Sequence, residues 1–331
     1  MAILVVGGAG YIGSHTVYQL IEHGREVIVA DSLQTGHKEA IHKNAKFYRG
    51  DIRERNFTED IFKKENIEAV IHFAADSLVG ESMIDPLKYY DNNVYGTMQL
   101  LKSMIKNEVK KIVFSSSAAV YGEPESLPIV EDDTTLPTNT YGETKLTMER
   151  MFHWSEIAHD ISFVPLRYFN AAGADISGNI GEDHHPESHL IPLVLQVANG
   201  QREYINVFGN DYPTPDGTCM RDYIHVTDLA QAHILAVDYL LNGGKTDVFN
   251  LGNGIGFSVK EVIDCVRKVT GHPVPMKIKS RRSGDPASLI ASSQKAQNIL
   301  SWHPQYQDLS QIIETAWKWH KSHPNGYSCN K

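Results

Sequence analysis

Ile3-Leu4-Val5-Val6 runs without a polar residue into Gly7-Gly8-Ala9-Gly10-Tyr11-Ile12-Gly13, and an amphipathic pattern follows to about Gly24. No other stretch constrains the fold as strongly. A short, wholly apolar run is what a strand buried on both faces requires, and such strands belong to parallel sheets. Glycines in the turn allow close backbone approach, and the helix behind them offers unpaired N–H groups at the positive end of its dipole. Strand, tight turn and helix in this order make a dinucleotide-binding start, with Gly7, Gly10, Tyr11, Ile12 and Gly13 as its candidate contacts. The next strand, residues 26–30, ends in Asp31, eighteen residues after Gly13. A carboxylate there accepts hydrogen bonds from a ribose and repels a 2′-phosphate, which selects NAD over NADP. Ser32 and Leu33 continue the same edge.

Strand and helix patterns keep alternating: a strand at 46–48, a polar helix over 53–65 and a strand at 69–73. Alternation of this kind predicts an α/β fold, a doubly wound parallel sheet of the Rossmann type. Asp51 and Ile52 close the third strand where an adenine would lie, and Phe73, Ala74 and Ala75 close the fourth with small residues that let a cofactor pass. His72, inside an apolar strand, reads as a packed core residue. A helical run over 86–107 carries Asn92 and Asn93, amides that either cap something or face a site. Residues 111–114 form a fifth strand ending in Ser115-Ser116-Ser117, which brings Ser117 to the crevice beyond the strand ends, where such sheets bind ligands. A sixth strand, 162–166, leads into Arg167–Gly173; from about residue 176 glycines and prolines mark a smaller, lid-like region. Residues 226–241 and 248–251 again read as a helix and strand of the first unit. The expected division is therefore interleaved: 1–175, joined by about 226–252, for the nucleotide, and mainly 176–331 for a smaller α/β substrate-binding domain.

Within this framework Tyr141-Gly142-Glu143-Thr144-Lys145 opens a helix, and a spacing of four puts Tyr141 and Lys145 on one face, roughly 6 Å apart along the axis. A phenol ordinarily ionises near pH ~10, and a neighbouring cation favours the phenolate, so the pair is a candidate general base.

A net charge of −9 provides no broad basic footprint for nucleic acid or an anionic membrane. Cys219, Cys265 and Cys329 lack metal or redox spacing and read as isolated thiols. Glu182-Asp183-His184-His185 through His189 has metal-ligating residue types, but a helix begins only after His189, so the run reads as a polar loop and no metal is expected. The apolar start is too short and too soon interrupted by glycine for a secretory signal, and a reducing cytoplasm is the expected setting. Ser258 with Glu261 reads as a capping box, and Trp302, Trp317 and Trp319 as core.

Gly7-x-x-Gly10-x-x-Gly13, Ser117 after the fifth strand and Tyr141-x-x-x-Lys145 occur together in one order. In this the chain resembles the extended short-chain dehydrogenase/reductase family. Tyr89–Val94, Arg167–Gly173, Phe208–Pro213 and Arg221–Val226 narrow the resemblance, over nearly the whole chain, to that family's UDP-hexose 4-epimerases. The resemblance implies Ser117, Tyr141 and Lys145 as catalytic residues, and adds Asn93, Ser115, Tyr141, Lys145 and Tyr168 to the NAD contacts. For the UDP-sugar it implies Ser117, Tyr141, Phe169, Asn170, His189, Leu190, Asn206, Val207, Phe208, Arg221, Arg282, Asp285 and Leu289, the two arginines offering planar forks to phosphate. The implied reaction interconverts UDP-galactose and UDP-glucose through a 4-keto sugar, with NAD used catalytically. Related dehydratases follow the Ser or Thr with an acidic pair; here Ala118 and Ala119 follow Ser117 and can move no proton. Leu289 replaces a bulky Tyr of some members, which implies room for N-acetylated UDP-hexoses, and Ser77 replaces a Lys, which alters the grip below the nicotinamide. A homodimer through helices over 86–107 and 141–159 is implied as well. A nucleotide-binding scaffold without catalysis is the rival from another class, and it has no need of the Ser, Tyr and Lys that this chain has together.

Overall fold

The computed structural model describes residues 1–282 and 286–328. β1 (Ala2–Val6), β2 (Val27–Asp31), β3 (Lys46–Arg49), β4 (Ile67–His72), β5 (Lys111–Ser117) and β6 (Ser162–Tyr168) pair in parallel. β7 (Asn170–Ala172), β8 (Ile205–Phe208) and β9 (Met220–His225) leave that sheet, and β10 (Phe249–Leu251) returns to pair parallel with β6. The order is β10-β6-β5-β4-β1-β2-β3, the Rossmann arrangement, and its direction of winding reverses between β1 and β4. A crevice opens there at the carboxyl ends of the strands.

Side chains alternate across a strand, so the unbroken apolar run of β1 serves two cores. Ile3 and Val5 pack with Val17, Leu20, Leu229 and Val237, while Leu4 and Val6 pack with Ile61, Leu100, Met104 and Phe152. Helices Tyr11–Glu22 and Val226–Leu241 thus cover one face, and Phe57–Lys64, Gly96–Lys106 and Thr140–His159 the other.

β11 (Gly256–Ser258), β12 (Met276–Lys279) and β13 (Ser288–Leu289) complete a smaller lobe. In it β9 pairs with β7 and β13 in parallel and with β11 antiparallel, and β8 pairs with β12. One residue separates β6 from β7, so the chain steps directly from the large sheet to the small one. Ser258 and Glu261 form the expected capping box, Trp302 and Trp319 are fully buried, and Trp317 packs on the small lobe's core. Cys219 and Cys265 form no disulfide among the described residues, and Cys329 lies outside them. Among the described residues no helix is long and apolar enough to cross a membrane.

Two elements differ from the sequence reading. The helix expected over 53–65 begins only at Phe57, because the Asp51 carboxylate accepts from the Arg53 amide at 2.8 Å and its Nε at 3.0 Å and holds a turn there. The run over 86–107 is broken into Pro86–Tyr89, a π-helical segment Tyr90–Tyr95, and Gly96–Lys106. π segments often occur at functional sites. This one includes Asn93, whose fully buried side chain reaches the loop after β4 and the helix that carries Tyr141.

Candidate active site

β5 continues through the three serines because β6 pairs with it as far as Ser117 opposite Tyr168. Ser117 therefore sits at the strand's carboxyl end, and its Oγ accepts from the Ala119 amide at 3.2 Å. Across the crevice, Asn139 caps helix Thr140–His159 by accepting from the Gly142 amide at 2.9 Å. The helix start lies directly on the loop after Ser117: a Cβ on Gly142 would come within 2.4 Å of the Ala119 carbonyl oxygen. Glycine at 142 thus lets Tyr141 approach Ser117. Ser82 adds a further tie by accepting from the Tyr141 amide at 3.1 Å.

Burial raises the Tyr141 phenol above its ordinary value, and a hydrogen bond with Ser117 opposes that shift. Lys145 is 2% exposed, donates from Nζ to the Ser115 carbonyl at 2.7 Å and lies 5.7 Å from the centre of the Tyr141 ring. Burial lowers its own pKa to about 7, with Glu149 acting to raise it. Among the chain's own groups, burial thus outweighs the Ser117 hydrogen bond at Tyr141. Glu149, one turn beyond Lys145, holds buried Arg167 by two hydrogen bonds of 3.0 and 2.7 Å and accepts from Ser116. Arg167 also donates to Tyr121, whose hydroxyl donates to Asn250. This buried network lies under the Ser–Tyr–Lys group and joins β5, β6 and β10.

At the switch point, Gly7 and Gly13 are fixed by packing. A Cβ on Gly7 would lie 2.5 Å from the Ala74 nitrogen, and one on Gly13 would lie 2.2 Å from the Gly7 oxygen. Gly10 precedes helix Tyr11–Glu22, which has no side-chain cap and no acidic residue in its first turn. Asp31 is 8% exposed; its carboxylate accepts from Ala9 and Leu33 at 2.9 and 2.8 Å, tying the end of β2 to the glycine turn. Ser32 accepts from the Gln34 amide, and Ile12 packs partly into the core. Asp51 is engaged by Arg53, Ile52 is buried, and Phe73 packs on His233 at 4.5 Å. Ser115 and Tyr168 share a hydrogen bond between their hydroxyls. Ala74 and Ala75 are partly buried, and the buried Oδ2 of Asp76 has no hydrogen-bond partner among the described residues. An open helix N-terminus, acidic acceptors and a donor-rich Lys145 fit a dinucleotide. Gly7, Gly10, Gly13 and Asp31 are the residues that would hold its adenosine diphosphate part, with Asn93, Tyr141, Lys145 and Tyr168 toward the other end.

The profile of the NAD dependent epimerase/dehydratase family matches residues 3–252. A UDP-glucose 4-epimerase from Halalkalibacterium halodurans is 63% identical over 99% of this chain and 98% of its own length. The chain belongs to this NAD dependent family, among its UDP-glucose 4-epimerases. A crystal structure of a UDP-glucose 4-epimerase is 59% identical, with a TM-score of 0.97 and 99% of each chain covered. That of the UDP-glucose 4-epimerase from Bifidobacterium longum, in complex with NAD+ and UDP, is 42% identical, with a TM-score of 0.94, covering 99% of this chain and 100% of the other.

The candidate sugar-nucleotide residues of this epimerase chain come from the small lobe and its junction. Arg221 and Leu289 are register partners on β9 and β13, and Arg221 donates to the Met220 carbonyl at 2.7 Å. Asn170 on β7 donates to the Asp222 carbonyl at 3.2 Å, and Phe169 and Leu289 pack together on Val120, Tyr121 and Leu146 near Ser117. Asn206 and Phe208 share one face of β8; Val207 between them is 1% exposed in the core, so only its backbone remains for a ligand. Arg282 stacks on the Phe208 ring at 4.0 Å, and Asn206 Oδ1 is buried without a partner among the described residues. Leu190 opens helix Leu190–Ala198, and His189, just before it, hydrogen-bonds with Glu182 through Nδ1. Asp285 lies outside the described residues. Sequence reasoning missed Asp76, Ser82, Asn139 and Glu149. An N-cap Asn before the Tyr141 helix and an acid one turn after Lys145 were available signals for the last two; Asp76 and Ser82 gave none.

Proposed function

We propose that this chain interconverts UDP-galactose and UDP-glucose by inverting C4 of the hexose through a 4-keto sugar. The observation that carries the reading is the meeting of Ser117 and Tyr141 at the end of β5, with Lys145 buried behind them. Tyr141 takes the proton of the C4 hydroxyl and later returns it, while Ser117 holds that oxygen by a hydrogen bond. Bound NAD supplies the acceptor and donor of hydride and a positive charge. Lys145 supports the phenolate and offers its remaining N–H groups to a ribose. Asn170, Asn206, Phe208, Arg221 and Arg282 grip the UDP, while the hexose, beside the apolar Phe169 and Leu289, turns about its phosphate linkage and presents its other face. Residues 1–175 with about 226–252 serve the nucleotide cofactor and mainly 176–331 the substrate.

Leu289 leaves room at C2 of the sugar for an N-acetyl group, so the N-acetylated pair is also turned over. Exposed Leu87, Trp154 and Ile157, 76%, 67% and 61% accessible on the helices flanking the site, support pairing of two copies through those helices. The purified chain, given UDP-galactose without added NAD, is expected to form UDP-glucose, and Tyr141→Phe is expected to lose about 10²–10⁴-fold in rate while retaining NAD. Full turnover in that variant would remove Tyr141 from the chemistry. A monomer mass by light scattering would refute the pairing.

A further inference from the structure

The loop between Gly181 and helix Leu190–Ala198 folds back so that Glu182, His184, Glu187 and His189 converge, one ligand atom from each lying within 4.8 Å of the others. His184 Nδ1 is 3.2 Å from Glu182 Oε1 and 3.8 Å from Glu187 Oε2, and His189 Nδ1 meets the same Glu182 oxygen. The two carboxylates are only 3% and 5% exposed, and no lysine or arginine pairs with either among the described residues. Two buried carboxylates and two imidazoles thus converge in one place of low dielectric, where the carboxylates require positive charge beside them. A divalent cation at their centre neutralises both and satisfies both imidazoles.

The loop is also held in this shape by hydrogen bonds to the backbone. Glu187 Oε1 accepts from the Ser188 and His189 amides at 2.7 and 2.8 Å, which leaves Oε2 turned to His184. Trp319 Nε1 donates to the Glu182 carbonyl at 3.0 Å, and Asp183 accepts from the Tyr327 amide at 2.9 Å. The sequence reading of a polar loop rested on the lack of a helix before His189; here backbone ties hold the four side chains together.

We propose that Glu182, His184, Glu187 and His189 form a structural zinc site. Ligands about 2.0–2.2 Å from a tetrahedral ion stand about 3.3 Å apart; His184 Nδ1 and Glu182 Oε1 are 3.2 Å apart, and all four ligand atoms lie within 4.8 Å of one another. Imidazole suits zinc over magnesium or calcium, and four protein ligands leave no open position for chemistry. The ion fastens the loop between the glycine turn, where the Tyr11 ring contacts His184 at 6.2 Å, and the C-terminal helix carrying Trp319.

The untagged, NAD-loaded chain is stripped with a chelator and titrated with Zn2+ alone, then with Co2+ alone. One ion per chain is expected by elemental analysis, with a higher unfolding temperature on zinc loading and the visible bands of four-coordinate cobalt. His184→Ala and Glu187→Gln are each expected to lose stoichiometric uptake and the zinc-dependent rise while keeping the far-ultraviolet circular dichroism of the parent. The proposal is overturned if the parent chain takes up no stoichiometric zinc, if both variants bind it as the parent does, or if Mg2+ or Ca2+ competes equally. These readouts do not use turnover, so they are independent of the epimerase reading.

Discussion

Glu149 has two jobs that a single substitution, Glu149→Gln, separates from its shape. It faces Arg167 through hydrogen bonds of 3.0 and 2.7 Å with both side chains under 10% exposed, at 7% and 8%. Removing the charge leaves a buried guanidinium uncompensated, which costs about 3–5 kcal/mol, and the amide's remaining acceptor puts the expected loss near the lower figure. At roughly 2–4 °C per kcal/mol the unfolding temperature should fall by about 6–12 °C. The second job is electrostatic. Lys145 stands about 5–6 Å away by helical geometry; burial holds it at about 7 and Glu149 holds it up. Without that carboxylate its pKa falls further. Because the protonated ammonium is the active form, activity is lost as pH rises through the Lys145 pKa, and in the variant that loss begins at lower pH. The assay is kcat/KM for UDP-galactose from pH 6 to 9 in the NAD-loaded parent and variant, beside a thermal melt of each. An unchanged alkaline limb with an unchanged melting temperature would refute both the network and its action on Lys145.

Other expectations follow from particular contacts. Gly142→Ala forces a methyl against the Ala119 oxygen, 2.4 Å from its ideal position; overpacking of about 1–3 kcal/mol should appear as a kcat loss of about tenfold or more with NAD retained, and parental kcat would refute the close approach. Phenol absorbance in the NAD-free chain should show Tyr141 ionising above its ordinary 10.0, and the Tyr141→Phe difference spectrum assigns it; a transition below 10 would contradict the dominance of burial. His72 and His233 are held neutral by burial, at about 3 and about 4. Their folded pKa values lie below the unfolded one, so the stability they preserve above about pH 6.5 is lost as pH falls toward those values, by about 1.4 kcal/mol per unit for each. Urea midpoints at pH 7 and 5 for the parent and His72→Asn measure the slope, and identical slopes would exclude His72. Leu289→Tyr should abolish turnover of N-acetylated UDP-hexoses while sparing UDP-galactose, and equal loss of both would refute selection at C2.

The chain's linear order was enough for features whose cause is local. The apolar runs set the inner strands of the large sheet, since a strand buried on both faces needs no partner pattern to be recognised; the glycine turn followed by Asp31 marked the nucleotide crevice; and a spacing of four placed Tyr141 beside Lys145. Helix interruptions were less legible: the π segment at Tyr90–Tyr95 carries Asn93, which reaches Asp76 and Thr144, contacts made across the fold. Electrostatics belonged wholly to the tertiary structure. Sequence places a cation near a phenol and predicts a lowered phenol, but burial raises Tyr141 and lowers Lys145, because desolvation depends on what surrounds both groups. Glu149 and Arg167, 18 residues apart in sequence, become one ion pair only when helix Thr140–His159 packs on β6. The convergence of Glu182, His184, Glu187 and His189 likewise depends on Trp319 and Tyr327 holding the loop from the far end of the chain. Residue type and spacing fix which groups are available, whereas distance and dielectric, which decide what those groups do, arise only when segments remote in sequence pack together.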